Sequence, residues 1–145
     1  MTTIRRSALV AHSSQEMFAL VNDVPSYALF LPWCGGSRVL EDGKEEKVAE
    51  VDIAFRGVSQ SFSTRNRLDE GKSIDMVLVD GPFKQLEGRW EFEPLSDSAC
   101  KISLSVEFKF SSRVAEVAIG PLFSQITGSM VDAFVERATE VYGNG

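Results

Sequence analysis

The side chains best suited to chemistry lie in one stretch, residues 58–68, VSQSFSTRNRL. Alternation splits it into two faces. One face carries Val58, Gln60, Phe62, Thr64, Asn66 and Leu68; the other carries Ser59, Ser61, Ser63, Arg65 and Arg67. Only the first has large apolar groups, so it should face inward. That brings the amides of Gln60 and Asn66 and the hydroxyl of Thr64 into the interior. Each such group costs roughly 1–3 kcal/mol if buried without a partner. Two arrangements meet the demand. The groups bond to one another, to backbone or to buried water, or they bond to a ligand. This is the chemistry of recognition, not of bond breaking. Catalysis needs a nucleophile with a base, a tuned acid–base pair or a metal. His12 is the sole histidine and stands next to a helix start. With it and two distant cysteines, Cys34 and Cys100, a His/Cys zinc site lacks ligands. No phosphate loop, dinucleotide fingerprint or GxSxG occurs, and nothing promotes Asp75 or Asp80. No enzyme activity, metal or required cofactor is expected.

A second stretch, residues 80–92, DGPFKQLEGRWEF, places Gly88 in the middle of the apolar face Leu86, Gly88, Trp90, Phe92. A glycine there marks a bend, a bulge or the close approach of another group. Trp90 and Phe92 offer flat apolar surface to a ring or to the core. Phe55 and Met76 stand on the inward faces of two further strand-like runs. A third stretch, YALFLPWC, presents Phe30, Leu31 and Trp33. They form either a lip over a cavity, able to touch a membrane surface, or packing against a long helix. Leu122, Phe123, Ile126 and Met130 should supply the opposite wall. Arg65, Arg67, Lys84 and Arg89 fall on the outer face. Grouped, they could meet RNA phosphates or anionic headgroups, although Glu87, Glu91 and Glu93 dilute them.

The elements that must position these groups read off in order. A strand covers residues 3–11. Ser13 with Glu16 three residues on forms a capping box ahead of a short helix. DVPSYALFLP suggests a second short helix ending near Pro32. Six strand-like runs follow, separated by Asp42-Gly43, Arg56-Gly57, Gly71, Gly81-Pro82 and PLSDSA. From residue 112 to 142 the apolar period becomes helical, with Gly120-Pro121 as a candidate kink and Gly143 as the stop. The fold class is α+β. A seven-stranded antiparallel sheet curves around one long C-terminal helix, with two short helices after the first strand. The closing helix has only the sheet to cover its apolar stripe, and a cavity can remain between them.

The 145 residues suit one domain, 1–145. A net charge of −6 disfavours nucleic acid, and DNA in particular. No uninterrupted apolar run approaches the ~18 residues of a membrane span. The expected setting is cytoplasmic, with peripheral contact at the inner membrane as the only membrane role considered.

FLPWC before the second strand, GPFKQLEGRWEF before the last and MVDAFVERATEVYG at the end carry a resemblance over nearly the whole chain. It resembles the coenzyme-Q-binding family of the START superfamily, whose bacterial branch is known as ribosome-association toxin A. That resemblance implies a helix-grip fold with a hydrophobic tunnel for ubiquinone or another polyprenyl lipid, supporting respiration. A quinone offers only acceptors, which uncharged donors such as Gln60, Thr64 and Asn66 would suit. It also implies an alternative: binding the large ribosomal subunit and blocking subunit association.

Overall fold

The computed structural model describes residues 1–143, and residues 144–145 lie outside them. The element order is β1 (Thr2–Val10), α1 (Ser14–Asn22), a 3-10 helix (Val24–Leu29), β2 (Cys34–Glu41), β3 (Glu46–Phe55), β4 (Val58–Asp69), β5 (Ser73–Asp80), β6 (Phe83–Ser96), β7 (Ala99–Phe110) and α2 (Arg113–Tyr142). The seven strands form one sheet in the order β1-β7-β6-β5-β4-β3-β2, with every neighbour pair antiparallel. The expected fold class is the observed one.

Local signals explain the elements. The Ser13 hydroxyl accepts from the Glu16 N–H at 3.1 Å, and the Glu16 carboxylate accepts from the Ser13 N–H at 3.0 Å. This reciprocal cap starts α1. Arg56 and Gly57 both take positive φ, 50° and 83°, as a two-residue hairpin turn requires. β2 begins at Cys34, earlier than the sequence pattern suggested. The Ala54 N–H donates to the Trp33 carbonyl at 2.8 Å and so extends the ladder toward the aromatic residue. Ser112 caps α2 by accepting from the Ala115 N–H at 3.1 Å. Pro121 lies inside the continuous helix rather than ending it. Gly143 closes it with an N–H to the Thr139 carbonyl at 2.9 Å.

α2 is long and apolar enough, by composition, to cross a membrane, and 28% of its most apolar window is buried. Its inward stripe, which includes Ile119, Phe123, Ile126, Val131 and Phe134, packs chiefly across β7 and β1. The 3-10 helix covers β2 instead. Between helix and sheet, aromatic residues form two clusters. Phe123 is the hub of one, with ring centroids 4.8 Å from Phe83 and from Phe108 and 5.9 Å from Phe62. Phe134 is the hub of the other, 5.4 Å from Trp90, 5.6 Å from Tyr27 and 5.2 Å from Phe30.

Candidate functional site: an apolar cavity between two aromatic clusters

The clusters leave one apolar space between them, a cavity of about 90 Å³. Sheet residues Phe62, Thr64, Asn66, Met76, Gly88 and Trp90 line it from below. Phe123, Ile126 and Met130 of α2 face them, and Trp33 closes one side. These ten expected residues are therefore brought together.

The polar pair in this lining is self-contained on one side. The Thr64 hydroxyl donates to Asn66 Oδ1 at 2.6 Å, and both residues are buried. That bond uses the amide oxygen. The amide nitrogen has no protein partner among the described residues and belongs to the cavity wall. It is the donor the space offers to an acceptor. Thr127, also in the lining, spends its hydroxyl on the Phe123 carbonyl at 3.0 Å. Tyr27 lines the cavity with its ring while its hydroxyl donates to the Val21 carbonyl at 2.5 Å. Complete burial pushes the Tyr27 phenol far above its ordinary range, so it stays a neutral donor.

Gly88 has its explanation here. A Cβ at that position would stand 2.7 Å from Met76 Cε. The room that the glycine leaves is occupied by a methionine side chain from the neighbouring strand, paired with it in register. The gap is filled from β5 and does not open a tunnel.

Five expected residues lie off the cavity. Gln60 is exposed, not inward, and Phe55 is only half-buried. β5 first pairs with β4 at Ser63, so residues 58–62 pair with β3 alone, as a ribbon projecting past the covered sheet. Period-2 alternation holds there, but α2 reaches only Phe62, at its base. Leu31 is core, at 2% exposure. Phe30 packs edge-on against Tyr27 and Phe134, with the Arg137 guanidinium 5.1 Å above its ring. Leu122 flanks Phe123 on α2, half-buried and turned from the space. With Leu31 and Trp33 both buried, the expected exposed lip is not formed.

The cavity is also smaller than the expected tunnel. Ligand pockets run to roughly 300–1,000 Å³, several times what the two aromatic clusters leave. Sequence reading missed Val24, Tyr27, Ala49, Val51, Leu86, Leu104, Val106 and Thr127 as lining residues. Leu86, Leu104 and Val106 carried a signal, since they alternate inward beside Trp90. Thr127 carried none beyond helical spacing.

On the outer face, Arg65, Arg67 and Arg89 share one open depression, and Lys84 stands outside it. Carboxylates interleave the arginines. Arg65 meets Glu46 at 2.7 Å, and Arg89 meets Asp75 at 2.7 Å and Glu91 at 3.1 Å. The ladder aligns Glu46, Arg67, Asp75 and Arg89 in one cross-strand row of alternating sign. Farther along, Arg38 binds both Glu50 and Asp52. Its hydrogen bond, joined by one from Ser61, holds the Asp52 carboxyl below its usual range. The face is a mixed ionic surface, not a basic patch. His12 sits at the α1 start against Tyr142, ring centroids 5.7 Å apart, away from the cavity. Among the described residues no group of histidine, cysteine and carboxylate side chains could hold a metal.

Comparison with known proteins agrees with this architecture. Ribosome association toxin RatA of Vibrio cholerae is 52% identical over 99% of this chain and 99% of its own. The RatA of Escherichia coli K12 is 49% identical over 98% of this chain and 90% of its own. Coenzyme Q-binding protein COQ10 homolog B, mitochondrial, of Xenopus laevis is 30% identical; it covers 94% of this chain, which spans 58% of that protein. Among solved structures, a Streptomyces aromatase/cyclase superposes with TM-score 0.84 at 16% identity over 99% of each chain. A START superfamily protein of Mycobacterium smegmatis superposes with TM-score 0.76 at 19% identity, over 96% of this chain and 98% of its own. These two show the shared helix-grip fold. The family described as polyketide cyclase/dehydrase and lipid transport matches residues 10–135, and the chain belongs to it.

Proposed function

We propose that this protein acts on ribosomes without catalysis, binding the large subunit and hindering its association with the small one. The observation that carries this reading is the 52% identity to a ribosome association toxin, sustained over 99% of both chains. The interior is consistent with it. A cavity of about 90 Å³ leaves the surface as the working part of the molecule. The setting is then the bacterial cytoplasm. The test is subunit joining followed by light scattering with purified subunits. Added protein should lower the amplitude in proportion to its concentration; an unchanged amplitude at stoichiometric excess overturns the reading.

A second reading rests on a separate observation. The cavity is apolar and is lined in part by Asn66, whose side-chain NH2 donates to no protein atom among the described residues. This suits the carbonyl of a quinone, and the COQ10 relative points the same way at 30% identity. In that reading Met76 and Met130, both half-buried and flexible, move aside to enlarge the space. Organic extraction of native protein followed by mass spectrometry should then find quinone. Clean protein with no thermal shift on adding a short-tailed quinone counts against it.

A further inference from the structure

The two edges of the sheet differ. β2 is guarded: its pairing with β3 breaks register twice, and the 3-10 helix packs over it. β1 has α2 across its inner face, but it pairs with β7 residue by residue from Thr2 to Val10 without a bulge, holds no proline and has no strand on its other side. An edge of this kind is a template for another strand. Beside it runs an open groove between the start of α2 and the start of β1, of about 560 Å³. Its apolar walls are Met1, Phe110, Val117 and Pro121. The first turns of α2 extend that surface. Val114 and Val117 are 79% and 69% exposed, and with the exposed Ala118 and Pro121 they form a stripe at helical spacing facing solvent.

Charge selects what fits. In a protein of net charge −6, this edge is basic. Arg5 and Arg6 lie at its middle, and Arg6 folds back to donate to the Arg5 carbonyl at 2.8 Å. Lys101 shares a second depression with both, beside the Arg89–Glu91 ion pair, and Lys109 and Arg113 line the groove, where Glu116 is the one carboxylate. None of the five cations is in an ion pair among the described residues. A second copy of this chain is disfavoured. Antiparallel self-pairing centred on β1 would set Arg6 against Arg6, and like charges directly opposite are destabilising.

We propose that β1 is a docking edge for an extended, acidic segment of another protein. The segment adds as an eighth strand, rests apolar side chains on Val117, Pro121 and Phe110 on the face toward α2, and sets carboxylates against Arg5 and Lys101 on the opposite face. Main-chain bonds supply affinity, and the alternating side chains supply choice. This inference is independent of the ribosome reading.

The probe is a fluorescent ten-residue peptide alternating valine and glutamate, with a valine–lysine peptide as its counterpart. Anisotropy with the full chain should show the acidic peptide binding at least tenfold more tightly. The pair Arg5→Glu and Lys101→Glu should weaken it at least tenfold, and so, separately, should Val117→Asp, an exposed position. Amide hydrogen exchange in the complex should slow along β1. Equal binding of both peptides, indifference to these variants, or protection on β4 and β5 instead overturns the proposal. So does concentration-dependent self-association that protects β1 without any peptide.

Discussion

Met76 Cε occupies the space that a side chain on Gly88 would need, so the two residues should be energetically coupled. A Cβ at Gly88 would come within 2.7 Å of that methyl, and the clashing group is the end of a flexible chain. Gly88→Ala should therefore cost only about 1–3 kcal/mol, as overpacking does. Met76→Ala alone should cost about 2 kcal/mol, at the low end for core truncation because the residue is half-buried. The double variant should be more stable than the sum of the two losses by at least 0.5 kcal/mol, roughly the threshold for coupled neighbours. Denaturant unfolding of the four proteins checks this, and additive losses contradict it. Cys100 gives a pH prediction. Burial, aided by the nearby Glu16 charge, pushes its thiol from 9.0 to about 11. The folded state then keeps a proton that the unfolded state releases. Its contribution to stability is complete below pH 9 and lost as pH rises toward 11. Melting temperature should fall through that window, and Cys100→Ala should flatten part of the fall. The residue scale also shows what sequence could not supply. Gly88 was visibly anomalous, but its filler sits on another strand, and only the register between β5 and β6 reveals it. Thr64 and Asn66 were legible as buried polar groups; that they bond to each other depends on side-chain placement two residues apart on one face.

The elements were the most legible level. The alternation from Cys100 to Phe110 became β7, the capping box at Ser13 started α1, and the helical period from residue 112 became α2. Each signal is local, so a single chain carries it. The exception was residues 58–61. Their alternation is real, but inward means buried only where something covers the sheet. Coverage is a tertiary property, set here by where β5 begins to pair with β4. The candidate site followed the same division: strand and helix residues near the middle of the fold line the cavity, Leu122 excepted, and those at the hairpin tip and just after the 3-10 helix, Phe30 and Leu31, do not. The α2 cap is the element-scale prediction. Ser112→Ala removes the acceptor for the Ala115 N–H and should cost about 1 kcal/mol. Thermal unfolding measures it, and an unchanged melting temperature would mean that water replaces the cap without loss.

For the whole molecule, size and charge decide between uses. The two aromatic clusters centred on Phe123 and Phe134 fill the interior to the point where about 90 Å³ remains. A guest lipid would have to displace packed side chains. The outer face alternates in sign across β3 to β6, and Arg65 and Arg89, which might have met RNA, already meet Glu46, Asp75 and Glu91. Ribosome contact through this face would be made by shape and specific pairing rather than by a basic field, and its affinity should depend only weakly on salt. Sedimentation of the purified protein with purified large subunits, small subunits and joined ribosomes on one set of gradients tests this most directly. The account predicts co-migration with the large subunit, and a shift of joined ribosomes toward free subunits as protein is added. Protein that stays at the top of every gradient, with the joined peak intact, would contradict it.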